Sequence, residues 1–135
     1  MSKLRREHDL LGDEMLEDVY YGIHTLRAIR NFAYDEKRVS LRLIYAMVMV
    51  KKAAAMAHKK LSSLDPLVAD AIITACDLIL SGKFDDSFVT HPLQGGAGTS
   101  AHMNVNEVVA NVALEILGHP KGSYSVIDPI EHVNR

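Results

Sequence analysis

The sequence predicts a single, mainly α-helical domain with short extended pieces near the N-terminus. Three segments carry apolar residues at helical spacing, and each lies between residues that commonly start and stop helices. The 135 residues are enough to close one hydrophobic core and leave little for a second. The chain contains 48% hydrophobic and 24% charged residues, which are ordinary proportions for a globular protein. Neither disorder nor a fibrous repeat is therefore indicated. We therefore treat residues 1–135 as one domain.

The segment from Asp18 to Tyr34 precedes the three helical patterns and differs from them in composition. It is rich in aromatic and β-branched residues, which fit extended backbone better than helix. We therefore expect loop with short extended pieces in this part of the chain.

The first predicted helix runs from about Leu41 to about Leu61. Ser40 precedes it, and serine is a preferred N-cap because its hydroxyl oxygen can accept from an amide of the first turn. The helix spans about five turns. We expect one apolar stripe to face the core, formed by Leu43, Ala46/Met47, Val50, Ala53/Ala54, Ala57 and Leu61.

The second predicted helix runs from about Pro66 to about Ser81. Asp65 is a suitable N-cap, Pro66 suits the first helical position because its missing amide hydrogen is not needed there, and Gly82 follows the last turn. Cys76 is the one cysteine of the chain and falls among apolar residues of this helix. We expect it to be a small buried residue and not a nucleophile.

The third predicted helix starts between Thr99 and Asn104 and continues to Gly118, where Pro120 blocks its continuation. Its apolar stripe comprises Val105, Val108/Val109, Val112/Ala113 and Ile116/Leu117. After it we expect a short extended piece and then a turn at Asp128 and Pro129. Because the polar tail stops directly after an asparagine, with no closing element, we expect the chain to be cut and not complete.

Charge and hydropathy exclude several classes of partner. The net charge of −2 provides no basic face for a nucleic acid. The lysines at 51, 52, 59 and 60 have helical spacing, and we interpret them as a solvated stripe without function. The longest apolar run is far shorter than the roughly 20 residues of a membrane span. A single cysteine excludes an internal disulfide and suits a reducing compartment, so we expect a cytoplasmic protein. From the charge and the short apolar runs, we expect it to bind neither membrane nor nucleic acid.

A glycine-rich segment, Leu93 to Glu107, carries the clearest functional pattern: LQGGAGTSAHMNVNE. Three glycines let the backbone turn sharply and bring N–H groups close to a ligand, and the following helix start favours an anion. The pattern lacks the lysine of one nucleotide motif and the third glycine of another, so it indicates a small anion without a nucleotide. Thr99, Ser100, Asn104 and Asn106 could add hydrogen bonds. In the alternative interpretation, Thr99 or Ser100 only caps the helix.

The segment QGGAGTSAHMNVNEVVANVALEILG resembles the first signature block of the aspartase/fumarase superfamily. Shorter blocks agree in the family's order, namely RREHDLLG, YYGIHTLRAIRNF, MVKKAAA, ACDLILSGKFDDSF, KGSY and HVN. They cover almost the whole chain. The pieces GIHTLRA and QGGAGTS are more similar to the aspartate ammonia-lyase branch than to the fumarases.

The resemblance implies the N-terminal helical domain of the L-aspartase-like fold. It implies reversible elimination of ammonia from L-aspartate to give fumarate, without a cofactor. The family's substrate-binding threonine maps onto Thr99, with Gly98 and Ser100 beside it as substrate-binding residues. No catalytic residue is assigned, because the family's serine base lies in a later loop that this chain does not contain. We expect a homotetramer for the full-length enzyme and no activity for this chain alone.

Other interpretations stay open at this point. The chain could come from a fumarate hydratase or another lyase of the superfamily, could be a non-catalytic module that binds a small anion, or could be a structural helical module. His24, His91 and His102 match no zinc-binding spacing, so we expect no metal site.

Overall fold

The computed structural model of the protein describes residues 4–135. Two short strands, β1 and β2, are followed by four α-helices. Their bounds are β1 Arg5–Asp9, β2 Gly12–Leu16, α1 Ile23–Asn31, α2 Leu41–Lys60, α3 Pro66–Leu80 and α4 Thr99–Ile116. A 3₁₀ turn lies at Asp85–Ser87 and a wide helical turn at Pro129–Val133. The prediction of a mainly helical fold is confirmed.

Helix α4 is the centre of the domain. Every residue from 104 to 114 is buried, which includes the predicted valine stripe but extends around the whole helix. Helix α3 packs against both α2 and α4, and α1 and the turn at Pro129–Val133 also pack against α4. Ile72, Cys76 and Ile79 of α3 belong to this core. The expected burial of Cys76 is confirmed, and burial raises the pKa of its thiol to about 12.

The three predicted helices are present within one or two residues of their predicted ends. Asp65 caps α3 as expected, since its Oδ1 accepts from Leu67 N at 2.8 Å and from Val68 N at 3.3 Å. Ser40 occupies the N-cap position of α2, but its side chain makes no capping hydrogen bond. The local signals therefore located both helix starts, although only one of the two side chains acts as a cap.

The predicted apolar stripe of α2 is wrong by about one residue. Leu43 and Val50 are 54% and 65% exposed. The side of the helix that faces α3 and α4 carries Ile44, Val48, Lys51 and Ala55. Apolar residues occur on several sides of α2, so periodicity alone does not choose the buried side. That choice is made by the packing of α3.

The prediction of loop between residues 18 and 34 is also wrong, because α1 spans Ile23–Asn31. The extended pieces lie earlier, where β1 and β2 form an antiparallel hairpin that pairs Arg5 with Leu16 and Asp9 with Gly12. Helix α1 has no side-chain cap of its own from Gly22. Its free amides are bound by carboxylates that are distant in sequence, as described below.

The C-terminal tail also differs from the prediction. Residues 121–127 form turns and not an extended piece. Asp128 and Pro129 start a helical turn, in which Asp128 Oδ1 accepts from Ile130 N at 2.7 Å and Glu131 N at 2.9 Å. Ile127 and Val133 are buried and attach the tail to the core.

Candidate functional site

The glycine-rich segment forms a left-handed turn directly before α4. Gly96, Ala97 and Gly98 have φ angles of 85°, 56° and 83°. This region of φ is open to glycine but is uncommon for a residue with a Cβ, so Ala97 is a strained position. Three successive residues of this kind reverse the chain and present its backbone at the N-terminus of α4.

Gln94 holds this turn against the first turn of α4. Its Nε2 donates to His91 O at 2.7 Å, and its Oε1 accepts from Ala101 N at 2.7 Å. The second bond satisfies one of the amides that a helix start leaves without an internal partner. Sequence reasoning did not single out Gln94, although it begins the quoted QGGAGTS motif.

His91 braces the other end of the turn. Its ring is buried, Nδ1 accepts from Leu93 N at 3.0 Å, and Nε2 donates to Asp35 Oδ1 at 2.9 Å. The amide of Lys37 and the His91 ring together lower the pKa of Asp35. His91 is therefore a structural residue of the loop. Across residues 4–135, no group of three or more His, Cys, Asp or Glu side chains is arranged to hold a metal ion.

The three residues predicted to bind substrate lie together where the turn meets α4. Gly98 is the N-cap, and its carbonyl accepts from His102 N at 3.1 Å. Thr99 is exposed, and its hydroxyl donates to Gly96 O at 2.6 Å. Neither the amides of Gly98 and Ser100 nor the Ser100 hydroxyl has a hydrogen-bond partner within residues 4–135. The turn thus combines unsatisfied donors with the positive end of an 18-residue helix.

An open cavity of about 340 Å³ lies beside Gly98 and Thr99, whereas Ser100 is not among the residues that line it. Residues 97–99 and Ala101 form one wall, and Leu43 and Met47 of α2 form another together with His102. A small anion in this cavity would contact the helix start on one side and apolar side chains on the other. Such a mixed lining is typical of small-molecule sites.

The two asparagines that sequence reasoning offered as further ligand partners do not reach this cavity. Asn104 is fully buried, where its Oδ1 accepts from Val89 N and its Nδ2 donates to Ser87 O, both at 3.0 Å. Asn106 is also fully buried, and its Nδ2 lies 3.6 Å from Met103 Sδ. Asn104 therefore ties the segment before the loop to α4.

Lys51 is a residue that sequence reasoning misjudged. The prediction of a solvated lysine stripe is wrong at this position, because Lys51 is only 8% exposed. Its Nζ donates to His102 Nε2 at 2.7 Å and to Asn134 Oδ1 at 2.6 Å. Burial lowers the pKa of Lys51, and burial together with Lys51 lowers the pKa of His102. Lys51 lies at helical spacing from Ile44, Val48 and Ala55, but periodicity alone does not identify that side of α2 as the buried one.

A second polar cluster was also missed, at the start of α1. Glu107 Oε2 accepts from Gly22 N, Thr25 N and Thr25 Oγ1 at 2.6–3.1 Å, and its Oε1 accepts from His24 N at 2.8 Å. Glu7 Oε2 accepts from Ile23 N at 2.8 Å. Burial raises the pKa of Glu107. Because both of its oxygens are occupied by backbone and hydroxyl donors of α1, we assign Glu107 to the fold and not to a ligand.

No helix within residues 4–135 is long and apolar enough to cross a membrane.

Comparisons with known proteins find similar sequences and structures over nearly the whole chain. Residues 14–135 match the model of a protein family described as Lyase. The aspartate ammonia-lyase of Escherichia coli (strain K12) is 51% identical over 99% of this chain, which is 29% of that protein. The chain thus spans less than a third of the length of this relative.

Solved structures agree with the sequence comparison. A crystal structure described as fumarate lyase:delta crystallin from Brucella melitensis has a TM-score of 0.95 and 47% identity, covering 98% of this chain and 31% of that one. A recombinant class II fumarase from Schistosoma mansoni has a TM-score of 0.91 and 33% identity, covering 98% of this chain and 28% of that one.

Proposed function

We propose that this chain, which belongs to the Lyase family, is the N-terminal domain of an aspartate ammonia-lyase. In this proposal the chain provides that enzyme's substrate-binding turn. The reaction is the reversible elimination of ammonia from L-aspartate to give fumarate. The observation that carries the proposal is the turn at Gly96–Gly98, whose unsatisfied amides meet the start of α4 beside an open cavity. The 51% identity with an aspartate ammonia-lyase supports the choice of reaction.

The elimination begins with removal of a proton next to a carboxylate, which places extra negative charge on the carboxylate oxygens. Hydrogen-bond donors held in fixed positions stabilise such charge, because they need no reorganisation when it develops. The amides of Gly98 and Ser100 are donors of this kind, and the α4 dipole adds partial positive charge. These groups bind one substrate carboxylate in the proposed complex.

Thr99 has a different part in the proposed complex. With its hydroxyl hydrogen directed to Gly96 O, its oxygen keeps free lone pairs. These can accept from the ammonium group of L-aspartate, whereas rotation of the hydroxyl would let it donate to a carboxylate. The side chain is exposed, so both arrangements are open to it. Thr99, Ser100 and Gly98 are thus the proposed substrate-binding residues.

The chain provides no group for the proton abstraction itself in this proposal. A base and further substrate ligands would come from outside residues 1–135, and full-length relatives are more than three times as long. We therefore propose that the isolated chain is inactive, and that the complete enzyme is a homotetramer acting on a small dicarboxylate.

Aspartate is preferred to malate as the proposed substrate because of the difference in identity. The chain is 51% identical to an aspartate ammonia-lyase and 33% identical to a class II fumarase over nearly its whole length. The fumarase reaction remains the second candidate, since the same turn would bind the carboxylate of either substrate.

The test is the rate of fumarate formation from L-aspartate and from L-malate by the enzyme expressed from the complete gene. We expect kcat/KM for L-aspartate to exceed that for L-malate by at least about a hundredfold, as a site matched to one polar group discriminates strongly against another. The isolated 135-residue chain is the control and should form no fumarate. A preference for malate would contradict the proposed substrate, and turnover by the isolated chain would contradict the proposed division of the site.

A further inference from the structure

Lys51 carries a charge in a place where the described chain gives it no counter-charge. Its side chain is buried, and both of its acceptors, His102 Nε2 and Asn134 Oδ1, belong to side chains that are not anionic. No carboxylate among residues 4–135 forms an ion pair with it. The next lysine along α2 differs, since Lys52 Nζ lies 2.6 Å from Asp77 Oδ1. Burying an ammonium without a counter-charge is unfavourable, so its retention needs a physical reason.

The position of Lys51 suggests that reason. It lines a cavity of about 220 Å³ together with Ala46, Met47, Val50 and His102. Met47 and His102 also line the cavity beside the glycine-rich turn. The two cavities therefore share Met47 and His102 in their linings, and Lys51 contacts the second of these residues.

The chemistry of the cluster selects a carboxylate. An ammonium has three donors, of which two are used, so one remains for a ligand. Three of the other four lining residues are apolar, and an apolar lining strengthens the attraction between a cation and an anion by lowering the local dielectric. The depressed pKa of Lys51 agrees with a cation that would gain from an anionic ligand.

We propose that Lys51, held in place by His102 and Asn134, binds a carboxylate at a position next to the glycine-rich turn, so that the two positions together suit a dicarboxylate. The choice of ligand rests on the proposed function. The physical claim, a carboxylate position at Lys51, does not depend on any activity and can be tested by binding alone.

The experiment is a titration of the full 135-residue chain with succinate, a dicarboxylate that has no leaving group. Nitrogen NMR of the His102 ring reports on the Lys51 position, because His102 Nε2 accepts from Lys51 Nζ. We expect a saturable shift of that signal with succinate and none with succinamide, the neutral analogue. An unchanged His102 signal, or an equal shift with succinamide, would overturn the proposal.

Variants separate this proposal from the one for the turn. Lys51→Met should weaken succinate binding by at least about tenfold, since a hydrogen bond to a charged group is worth that much or more. Lys52→Met removes the same charge one residue away and should leave binding unchanged.

If Lys51→Met binds like the wild type while Thr99→Ala does not, the Lys51 position is refuted and the turn is supported. The reverse pattern supports Lys51 and refutes the role of Thr99. Should Lys51→Met not fold, the wild-type His102 titration decides by itself.

Discussion

Gly22 is the glycine whose surroundings leave the least space for a side chain. A Cβ at this position would lie 2.6 Å from Tyr124 Oη, 2.8 Å from Glu7 Oε2 and 2.9 Å from Glu107 Cδ. Glu7 and Glu107 bind the amides at the start of α1, and Tyr124 Oη donates to Glu7 Oε1 at 3.0 Å, so none of the three can move without breaking a hydrogen bond. The absence of a side chain at Gly22 is thus a condition for α1 to dock on α4.

We predict that Gly22→Ala lowers the free energy of unfolding by about 2 kcal/mol or more, the upper part of the range for overpacking a closed site. Gly95→Ala is the matched control, since its Cβ would be 3.9 Å from the Phe32 ring, an ordinary contact. That change should stay within about 0.5 kcal/mol. Urea unfolding followed by circular dichroism measures both, and equal stabilities of the two variants would refute the packing argument.

Cys76 gives a second test at the scale of one residue. It is fully buried in α3, and its pKa is raised to about 12, so the reactive thiolate is scarce at pH 8. We predict that a thiol reagent labels the native protein at least about a thousandfold more slowly than the protein in urea, because labelling requires opening of a core worth several kcal/mol. Similar rates in both conditions would mean that α3 is not packed as described.

Sequence reasoning located the proposed binding residues better than the groups around them. Thr99, Ser100 and Gly98 are adjacent in sequence, so a single motif brings them together. Lys51 and Asn134 are 83 residues apart, and their contact depends on how α2 and the tail pack. Contacts of this second kind have no local signal, which is why the Lys51 cluster was not predicted.

At the scale of the element, the helix starts show how far local signals reach. Asp65 and Ser40 occupy equivalent N-cap positions, but only Asp65 accepts hydrogen bonds from its helix. We predict that Asp65→Ala lowers the free energy of unfolding by about 1 kcal/mol, the usual value for loss of a cap. Ser40→Ala should change it by less than about 0.5 kcal/mol. Thermal or urea unfolding compares the two, and a larger loss for Ser40→Ala would contradict the capping geometry.

Helix α1 could not be predicted because its stabilising groups come from elsewhere in the chain. Its first-turn amides are bound by Glu7 from β1 and by Glu107 from α4, at separations of 16 and 83 residues for Ile23 and His24. The aromatic and β-branched composition of residues 18–34 favours extended structure when considered alone. Tertiary carboxylate caps outweigh that preference here. The helices α2, α3 and α4 were predictable because the residues that mark their starts and ends are local in sequence.

At the scale of the whole molecule, the fold places the open turn at Gly96–Gly98 directly before α4, a helix that is packed on several sides. The buried middle of α4 contacts α1, α2, α3 and the C-terminal turn, so the helix is fixed on several sides. Its N-terminus carries the exposed residues Gly98 and Thr99. Binding groups mounted on such a helix keep their positions when charge develops on a ligand, which is the arrangement that electrostatic stabilisation requires.

The central claim is that the turn at the start of α4 binds the substrate through Thr99 and the neighbouring amides. Its most direct test is the steady-state rate of fumarate formation from L-aspartate by the complete enzyme carrying Thr99→Ala. Thr74→Ala, an exposed change on α3, is the control for the substitution itself. For the arrangement in which the rotated Thr99 hydroxyl donates to a carboxylate, we predict that kcat/KM falls by about a hundredfold or more for Thr99→Ala, on the order of the loss of one oxyanion donor, and not for Thr74→Ala. A Thr99→Ala enzyme with the wild-type kcat/KM would contradict the claim.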